Sequence, residues 1–332
     1  MSTITRGLPA SAGPLSDAVI NHLTGAHTLA PVPEVVLSEA DPAGLDLHLA
    51  LHLCYELFYR GFDGVRDEFE WDVPLLALRD GLEKVFLADV RRGVGDVTGV
   101  TAAAEMDRLS SEPVDGDGPS HFLLAEGSWG QMREYFVHRS IYHLKEADPH
   151  AFAIPRLVGQ AKASFVAVEF DEYGGGRGSQ VHQRLFADLL SAAGLAAGYL
   201  AYLEAVPAES LAVVNLMSLF GLHRGLRGAT VGHFAATEIT SSPGSQRLAD
   251  ALDRMSAPEL CTRFYQEHVE ADAVHEQVVR NDVVGDLLQR EPHLEPDVVL
   301  GIRAFELVED RLADHLMKSW RGQQSSLLLP LT

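Results

Sequence analysis

The sequence predicts an all-α protein, and three observations support this fold class. Apolar residues recur with the period of a helix in most of the long segments. No segment sustains the alternating apolar and polar pattern of a half-buried strand. Hydrophobic residues make up 46% of the 332 residues, which is enough to fill a substantial core. We therefore expect a helical bundle with additional helices on its N-terminal side.

The first third of the chain is expected to form an N-terminal layer. Residues 1–40 are rich in Pro, Ser, Thr and Ala, and are predicted to be loosely ordered apart from one short helix at 15–23. Residues 41–118 are predicted to form a helical layer that packs on the core. Its helices are predicted at 44–62, 72–92 and 100–109, followed by an acidic loop with the sequence EPVDGDGPS.

The core, residues 119–325, is predicted to belong to the same structural domain as this layer. Its predicted helices are 119–147, 152–173, 181–192, 195–205, 208–221, 223–241, 245–255, 258–290 and 296–321. Glycines at 174, 175, 176 and 178 interrupt the chain between the second and third of these helices. Ser242 and Pro243 are expected to end the sixth, because proline disrupts a helix interior.

The charge and the cysteine content limit the possible partners. The formal net charge is −21, and such an acidic chain repels nucleic acid and anionic membranes, so a small-molecule ligand is expected instead. Two distant cysteines, Cys54 and Cys261, argue against a disulfide framework, a zinc finger and an iron–sulfur cluster. Neither a signal-peptide core nor a membrane-spanning run is evident, and a cytoplasmic location is expected.

One predicted helix carries the most distinctive group of candidate metal ligands. Asp272 and His275 follow His268 by four and seven residues, so in a helix all three side chains leave from one face. The two histidines are then about 10 Å apart along the helix axis. This separation is too long for one ion without distortion but suits two adjacent ions. The alternative interpretation is a solvated helix with incidental histidines.

Three further residues are candidates for the same site. Glu146 is predicted at a helix C-terminus, where its charge opposes the helix dipole. Glu172 follows an apolar stretch, and His182 would lie about 15 Å from it in an unbroken helix. The intervening glycines permit a turn that returns His182 towards Glu172. The alternatives are a solvated terminal glutamate and a plain loop with an exposed histidine.

Three carboxylates and three imidazoles suit a pair of redox-active first-row metal ions, most naturally iron. Zinc usually takes four ligands and leaves no use for six. The sequence lacks a Glu-x-x-His pair, an HExxH motif, a GxSxG motif and a P-loop. The glycine run follows no βαβ pattern, so no flavin or nicotinamide domain is expected. Reducing electrons would therefore come from an external donor.

Several weaker groups have ordinary structural interpretations. Glu56 is expected to pair with Arg60 at the i,i+4 spacing of a helix. His233 and Glu238 are set aside as a ligand pair, because five residues is a poor spacing for one helix face. Three arginines are candidates for binding a substrate carboxylate, with a structural ion pair as the alternative for each: Arg139, Arg156 and Arg227.

Three segments resemble the haem-oxygenase-like di-iron oxidases and oxygenases, a family of iron-containing redox enzymes. The segments are, in order, HRSIYHLKEADPHAFAIPRL, EFDEYGGGRGSQVH and FYQEHVEADAVHEQ, within residues 120–290. The resemblance implies a helical fold like that of haem oxygenase, without haem, and a site for two Fe(II) ions that activates O2. The metal ligands of the family carry over onto Glu146, Glu172, His182, His268, Asp272 and His275.

The second segment, with its glycine run and extra histidine, resembles the N-oxygenating branch of this family. The resemblance implies oxidation of a small amine, an amino acid or an amino-heterocycle, through hydroxylamine towards a nitroso or nitro product in specialised biosynthesis. Two alternatives stay open. The same metal site would also suit oxidative C–C cleavage or desaturation of a fatty acid or amino acid, and a helical binding or scaffold protein needs no metal. A homodimer is expected, because the N-terminal helices have apolar faces that need cover.

Overall fold

The computed structural model describes residues 6–29, 37, 39–111 and 116–331, apart from the side chains of residues 270–273. These residues form helices, turns and loops without a β-strand, which confirms the all-α prediction. The helices are α1 (Pro14–Leu23), α2 (Leu45–Glu56), α3 (Val73–Val94), α4 (Ala102–Leu109), α5 (Pro119–Ala125), α6 (Trp129–His143), α7 (Asp148–Ala151), α8 (Gly159–Glu172), α9 (His182–Ala192), α10 (Ala208–Leu222), α11 (Arg227–Arg254), α12 (Glu259–Val278), α13 (Gly285–Arg290) and α14 (Glu295–Arg321). A π-helical segment, Val279–Val284, joins α12 to α13. No helix of the described part is long and apolar enough to cross a bilayer.

Helix α11 organises the core, because both α12 and α14 pack extensively against it. Two glycines bring α11 and α14 into backbone contact. A Cβ atom on Gly232 would lie 2.0 Å from the Val298 carbonyl oxygen, and one on Gly301 would lie 2.1 Å from that of Ala229. No side chain fits at these distances, so any larger residue at either position would force the two helices apart.

Helix α11 continues through Pro243, so the helix end predicted at Ser242 and Pro243 is wrong. Proline removes one backbone donor and disfavours a helix interior. The packing of α11 on α12 and α14 outweighs this local cost, since most helical stability in a protein comes from tertiary contacts.

The helix predicted at 119–147 is divided into α5 and α6. Ser128 caps α6, and its side-chain oxygen accepts a hydrogen bond from a backbone N–H of the first turn. Helix α6 ends at His143, so Glu146 lies in the turn before α7 rather than on a helix. Ala147 follows with a left-handed φ of 72°, which reverses the chain next to Glu146.

Two other predicted helices differ from the structure. Residues 195–205 form turns, so the helix predicted there is wrong. The helix predicted at 152–173 begins only at Gly159, which has a positive φ of 64°. The long helix predicted at 258–290 is present as α12, the π-helical segment and α13.

The helix predicted at 15–23 is confirmed as α1, which packs on α2. Leu15, Val19 and Leu23 are buried in the main hydrophobic core. Asp46 of α2 accepts a hydrogen bond from the Leu15 backbone N–H at 2.9 Å. The short helix expected within residues 1–40 is therefore packed on the core. The division of the chain into 1–40, 41–118 and 119–325 stays a prediction.

Candidate metal centre

Buried carboxylates and imidazoles from five parts of the chain converge around a small cavity. They are Glu146 after α6, Glu172 on α8, His182 at the start of α9, Glu238 on α11, and His268 and His275 on α12. The cavity has a volume of about 20 Å³. It is large enough for an ion or a water molecule and too small for an organic substrate.

Four of these residues form a first group of possible ligands. Glu146, Glu172, His182 and His268 each offer one atom, and these atoms all lie within 4.8 Å of one another. His182 Nδ1 lies 2.8 Å from Glu172 Oε2, and His268 Nε2 lies 3.7 Å from Glu146 Oε1. Oxygen and nitrogen atoms that converge in this way suit a first-row transition metal.

A second group shares one residue with the first. Glu172, Glu238 and His275 also offer ligand atoms within 4.8 Å of one another. The two nitrogens of His275 lie between carboxylates, with Nδ1 at 3.1 Å from Glu238 and Nε2 at 3.1 Å from Asp171. Because Glu172 belongs to both groups, the arrangement can hold two cations side by side with a shared carboxylate.

The glycine run makes the turn that brings His182 back to Glu172. Gly174, Gly175 and Gly176 all have positive φ, between 59° and 77°. A Cβ atom on Gly174 would lie 2.6 Å from the backbone of the returning chain, so this turn requires glycine there. The turn that the sequence permits is therefore present, and His182 begins the next helix beside Glu172.

Helix α12 orients its histidines through the contacts of their second nitrogens. The Nδ1–H of His268 donates to the carbonyl oxygen of Phe264 at 2.8 Å, and its Nε2 lies on the side of Glu146. This pattern of one backbone-bonded nitrogen and one ligand nitrogen is common at metal sites. The side chain of Asp272 lies outside the described part of the chain, although its backbone continues α12. Its role as a ligand stays a prediction.

The lining of this cavity carries more carboxylates than imidazoles. Glu146, Glu169, Glu172 and Glu238 line it, whereas the described lining residues include no lysine or arginine. Burial and the nearby carboxylates of Glu172 and Glu238 raise the pKa of Glu169 well above its usual range. Neither carboxylate oxygen of Glu169 has a hydrogen-bond partner in the described structure. Buried carboxylates at this density need protons or a bound cation.

The pKa of Glu146 is lowered by neighbouring histidines, in contrast to the raised pKa of Glu169. His143 Nδ1 lies 2.7 Å from Glu146 Oε1. Burial alone would raise the pKa of Glu146, but His143 and then His268 lower it well below its usual range. Glu146 is therefore held as a carboxylate, which is the form that binds a metal ion.

Glu238 and Glu169 are the functional candidates that sequence reasoning missed. Glu238 was compared with His233 on its own helix, but its contact is with His275 of α12. Glu169 lies one turn before Glu172 on α8 and so shares its face, as a three-residue spacing allows. That spacing was a usable signal for Glu169, whereas nothing in the local sequence connects Glu238 to α12.

Each of the three candidate arginines has a partner within the protein. Arg139 donates two hydrogen bonds to Glu309, at 2.7 and 2.6 Å. Arg156 donates to backbone carbonyl oxygens, among them that of Leu222 at 2.9 Å. Arg227 pairs with Glu291. These are the structural roles that were the alternative for each residue, and substrate binding by any of them stays a prediction.

The predicted pair of Glu56 with Arg60 is wrong. Glu56 is fully buried, and it pairs with Lys145 and accepts a hydrogen bond from Tyr199 at 2.6 Å. Arg60 lies past the end of α2, where the chain no longer follows helical spacing. It donates instead to Gln183 at 2.5 Å.

A second, larger cavity adjoins the centre. Its volume is about 430 Å³, which is within the range of organic ligand sites. Tyr142, Glu146 and His268 line both cavities, so they form the boundary between them. The small cavity can therefore hold ions while an organic molecule in the large one reaches them.

The fold and this cluster together define a helical protein with a buried carboxylate and imidazole site of the type that binds transition metals. A family model described as iron-containing redox enzyme matches residues 133–310, more than half of the chain. The chain belongs to this family, which confirms the resemblance and the haem-oxygenase-like helical fold. Membership supports an oxidoreductase, and the buried ligands fit iron.

The chain is also similar to nitrosourea synthase from Streptomyces achromogenes subsp. streptozoticus. The two are 25% identical over 166 residues, which cover 50% of this chain and 35% of the relative. The similarity thus spans about a third of the length of that protein.

Proposed function

We propose that the protein is a non-haem di-iron oxygenase that adds oxygen to the nitrogen of an amine. The observation that carries the proposal is the pair of ligand groups that share Glu172 beside a cavity of about 430 Å³. The similarity to nitrosourea synthase supports nitrogen as the reacting atom, since a nitrosourea carries an N-nitroso group. The product would be a hydroxylamine, with nitroso or nitro compounds from further cycles.

Each candidate ligand has a place in this proposal. Glu146, His182 and His268 would bind one iron, and Glu238 and His275 the other, with Glu172 between the two ions. We assign Asp272 to the same set from its position on α12. Two Fe(II) ions would supply electrons and Lewis acidity for the reduction of O2.

The first oxidation requires an external reductant. It is written R–NH2 + O2 + 2 e⁻ + 2 H⁺ → R–NHOH + H2O, in which the N–O bond forms and the O–O bond breaks. We propose an external electron donor as a partner, with no haem or flavin, and a cytoplasmic location. The free cysteines, Cys54 and Cys261, are compatible with a reducing compartment. A homodimer stays part of the proposal.

The residues at the boundary between the two cavities would position the amine next to the metal centre. An amine that enters the large cavity meets Tyr142, Glu146 and His268 at the inner end. Aromatic and aliphatic side chains of the wall, among them Phe264 and Leu316, would exclude bulk water from the reacting nitrogen. This apolar part of the wall would also suit the chain of a fatty acid, which is the observation that favours C–C cleavage or desaturation as the second candidate.

Product mass in ¹⁸O2 distinguishes these reactions. The purified protein is loaded with Fe(II) without oxygen, given a chemical reductant, and exposed to ¹⁸O2 with amines, amino acids or fatty acids. We expect a hydroxylamine or nitroso product with one ¹⁸O on nitrogen, or a nitro product with two. Loss of two hydrogens or of a carbon fragment would favour the second candidate. Absence of O2 consumption with every substrate would favour a helical binding protein.

Matched variants test the assignment of the ligands. Asp272→Ala and His182→Ala should lose iron and turnover. Asp253→Ala and His293→Ala, which change exposed residues of the same types, should retain both. An Asp272→Ala protein that bound two irons and turned over normally would contradict the proposed ligand set.

A further inference from the structure

The residues that line the large cavity indicate which kind of ligand it binds. The cavity lies between α5, α6, α10, α11, α12 and α14, and most of its buried lining is aromatic or aliphatic. Phe305, Leu312 and Leu316 of α14 line it together with Met217 of α10 and Phe264 of α12. A volume of about 430 Å³ with this lining fits an apolar body larger than a short aliphatic amine.

Two buried polar atoms on this wall lack a protein partner in the described structure. The Tyr265 hydroxyl and His233 Nε2 make no hydrogen bond, although the exposed fractions of these residues are only 3% and 2%. Buried polar groups are almost always satisfied by protein, water or ligand. Both residues line the large cavity, so a molecule in that cavity is their available partner.

The other nitrogen of His233 is already engaged. His233 Nδ1 lies 3.1 Å from His150 Nε2, so one imidazole donates to the other. Burial lowers the pKa of His233 to about 3, and the ring is neutral at neutral pH. If His233 Nδ1 donates to His150, Nε2 of His233 is an acceptor, and if Nδ1 accepts, Nε2 is a donor. The Tyr265 hydroxyl can donate or accept a hydrogen bond. A hydroxyl group on a ligand matches both.

The charged groups on the wall disfavour a carboxylate in the ligand. Arg139 is held by two hydrogen bonds to Glu309, and Arg247 donates to Ser120 at 3.0 Å. The described lining also contains the carboxylates of Glu306 and Asp310. Arg108 pairs with Glu306, and both guanidinium groups of the described lining have protein partners. A ligand carboxylate would have to compete with these contacts beside the acidic groups of α14, which favours a ligand without its own carboxylate.

We propose that this cavity selects a primary amine on an aromatic body with a neutral hydroxyl group, rather than an α-amino acid. Tyr265 and His233 bind the hydroxyl group, and the amine lies at the inner end beside Glu146 and His268. The assignment of the amine rests on the proposed N-oxygenation. Tyr265 and His233 are specificity-determining residues in this assignment, and neither one takes part in the oxidation.

Three related probes separate the features of this ligand. Tyramine has the amine, the ring and the hydroxyl, phenethylamine lacks the hydroxyl, and tyrosine adds a carboxylate. Binding to the Fe(II)-loaded protein is measured by calorimetry without oxygen. We expect tyramine to bind about tenfold or more tightly than tyrosine. We expect it to bind about threefold to tenfold more tightly than phenethylamine.

Two variants test whether Tyr265 and His233 cause the preference for a ligand with a hydroxyl group. Tyr265→Phe removes one hydroxyl, and His233→Asn removes the Nε2 position while it retains a polar group near His150. Each should weaken tyramine about threefold to tenfold and leave phenethylamine almost unchanged. Tyr202→Phe, outside this cavity, is the matched control and should change neither. If His233→Asn fails to fold, Tyr265→Phe alone decides the assignment.

The binding experiment needs no turnover, so it separates two kinds of failure. Equal binding of tyrosine and tyramine, equal losses for both amines in Tyr265→Phe, or no binding of any probe would overturn the proposal for the cavity. The expected binding pattern without any oxidation after O2 is added would support the cavity assignment and contradict N-oxygenation. The measurement is repeated on the metal-free protein to test whether the hydroxyl preference is independent of iron.

Discussion

Lys145 and Glu146 are neighbours in the chain, but they belong to two buried polar clusters with different chemistry. Lys145 pairs with Glu56, and Tyr199 donates to the second oxygen of that carboxylate. Glu146 faces carboxylates and histidines around a cavity without a described lysine or arginine. One cluster neutralises itself, and the other has an excess of negative charge.

The difference in charge balance distinguishes a buried cluster that is complete within the protein from one that requires a bound ion. Lys145 lowers the pKa of Glu56 against the effect of burial, which keeps the pair ionised and complete. In the metal centre, burial and neighbouring carboxylates raise the pKa of Glu169. Both clusters bury polar groups, but only the metal centre combines an excess of carboxylates with carboxylate oxygens of Glu146 and Glu169 that lack a hydrogen-bond partner in the described structure. This combination indicates a site for cations.

The largest expected effect comes from breaking the neutral cluster. Lys145→Met leaves the Glu56 carboxylate buried without a cation, and should lower the free energy of unfolding by about 3–5 kcal/mol. The double variant Lys145→Met with Glu56→Leu should recover most of this loss, because both charges are then removed. Urea unfolding of the three proteins measures both effects. A loss below about 1 kcal/mol in the single variant, or a double variant no better than the single one, would contradict a self-neutralised pair.

Metal binding at the metal centre should stabilise the folded protein by a similar amount. Fe(II) at about one hundred times its dissociation constant, added without oxygen, should raise the free energy of unfolding by about 3 kcal/mol. Glu172→Ala should remove the effect, because this carboxylate belongs to both ligand groups. His293→Ala is the control and should respond as the natural protein does. An equal stabilisation of Glu172→Ala would place the metal elsewhere.

Acid should disturb the Lys145–Glu56 cluster through His52, whose Nε2 lies 3.5 Å from Glu56 Oε1. Burial, with a contribution from Lys145, lowers the pKa of His52 to about 4, compared with an ordinary value of 6.5. The folded protein therefore binds fewer protons than the unfolded chain between these values, and stability falls as the pH falls from 7 to 5. His52 should account for about 2 kcal/mol of that loss. His52→Gln should lose correspondingly less than the natural protein in urea unfolding at the two pH values, and equal losses would contradict a neutral buried His52.

The smallest expected effect is a gain in stability at the metal centre. Glu169 has a raised pKa, so its ionised form disfavours folding above the ordinary pKa of a glutamate. Glu169→Gln should stabilise the metal-free protein by about 1 kcal/mol at pH 7, and the gain should vanish near pH 4. Thermal unfolding with a chelator measures it. A destabilised variant at pH 7 would show that the carboxylate is compensated.

The sequence predicted the parts of this molecule that depend on local periodicity and local backbone geometry. The helix with His268 and His275 follows from good helical propensity and the lack of Gly and Pro in residues 264–280, and the turn before His182 follows from its glycines. The contact of Glu238 with His275 could not be predicted in the same way, because two different helices bring these residues together. The same holds for Lys145 and Glu56, which are 89 residues apart.

Pro243 illustrates a different limit of sequence reasoning. Its local preference predicts a helix end, but α11 continues through it because α12 and α14 pack against the helix. Helix ends that tertiary contacts override are hard to predict from one sequence. The error does not affect His233 and Glu238, which lie on one helix both in the prediction and in the structure.

Anaerobic titration with Fe(II), followed by Mössbauer spectroscopy before and after O2, tests the central claim most directly. The account predicts two Fe(II) ions per chain, both converted to Fe(III) by O2, and a loss of this loading in Glu172→Ala. Iron binding at background level, a single ion per chain, or full loading without Glu172 would contradict a di-iron centre with a shared carboxylate.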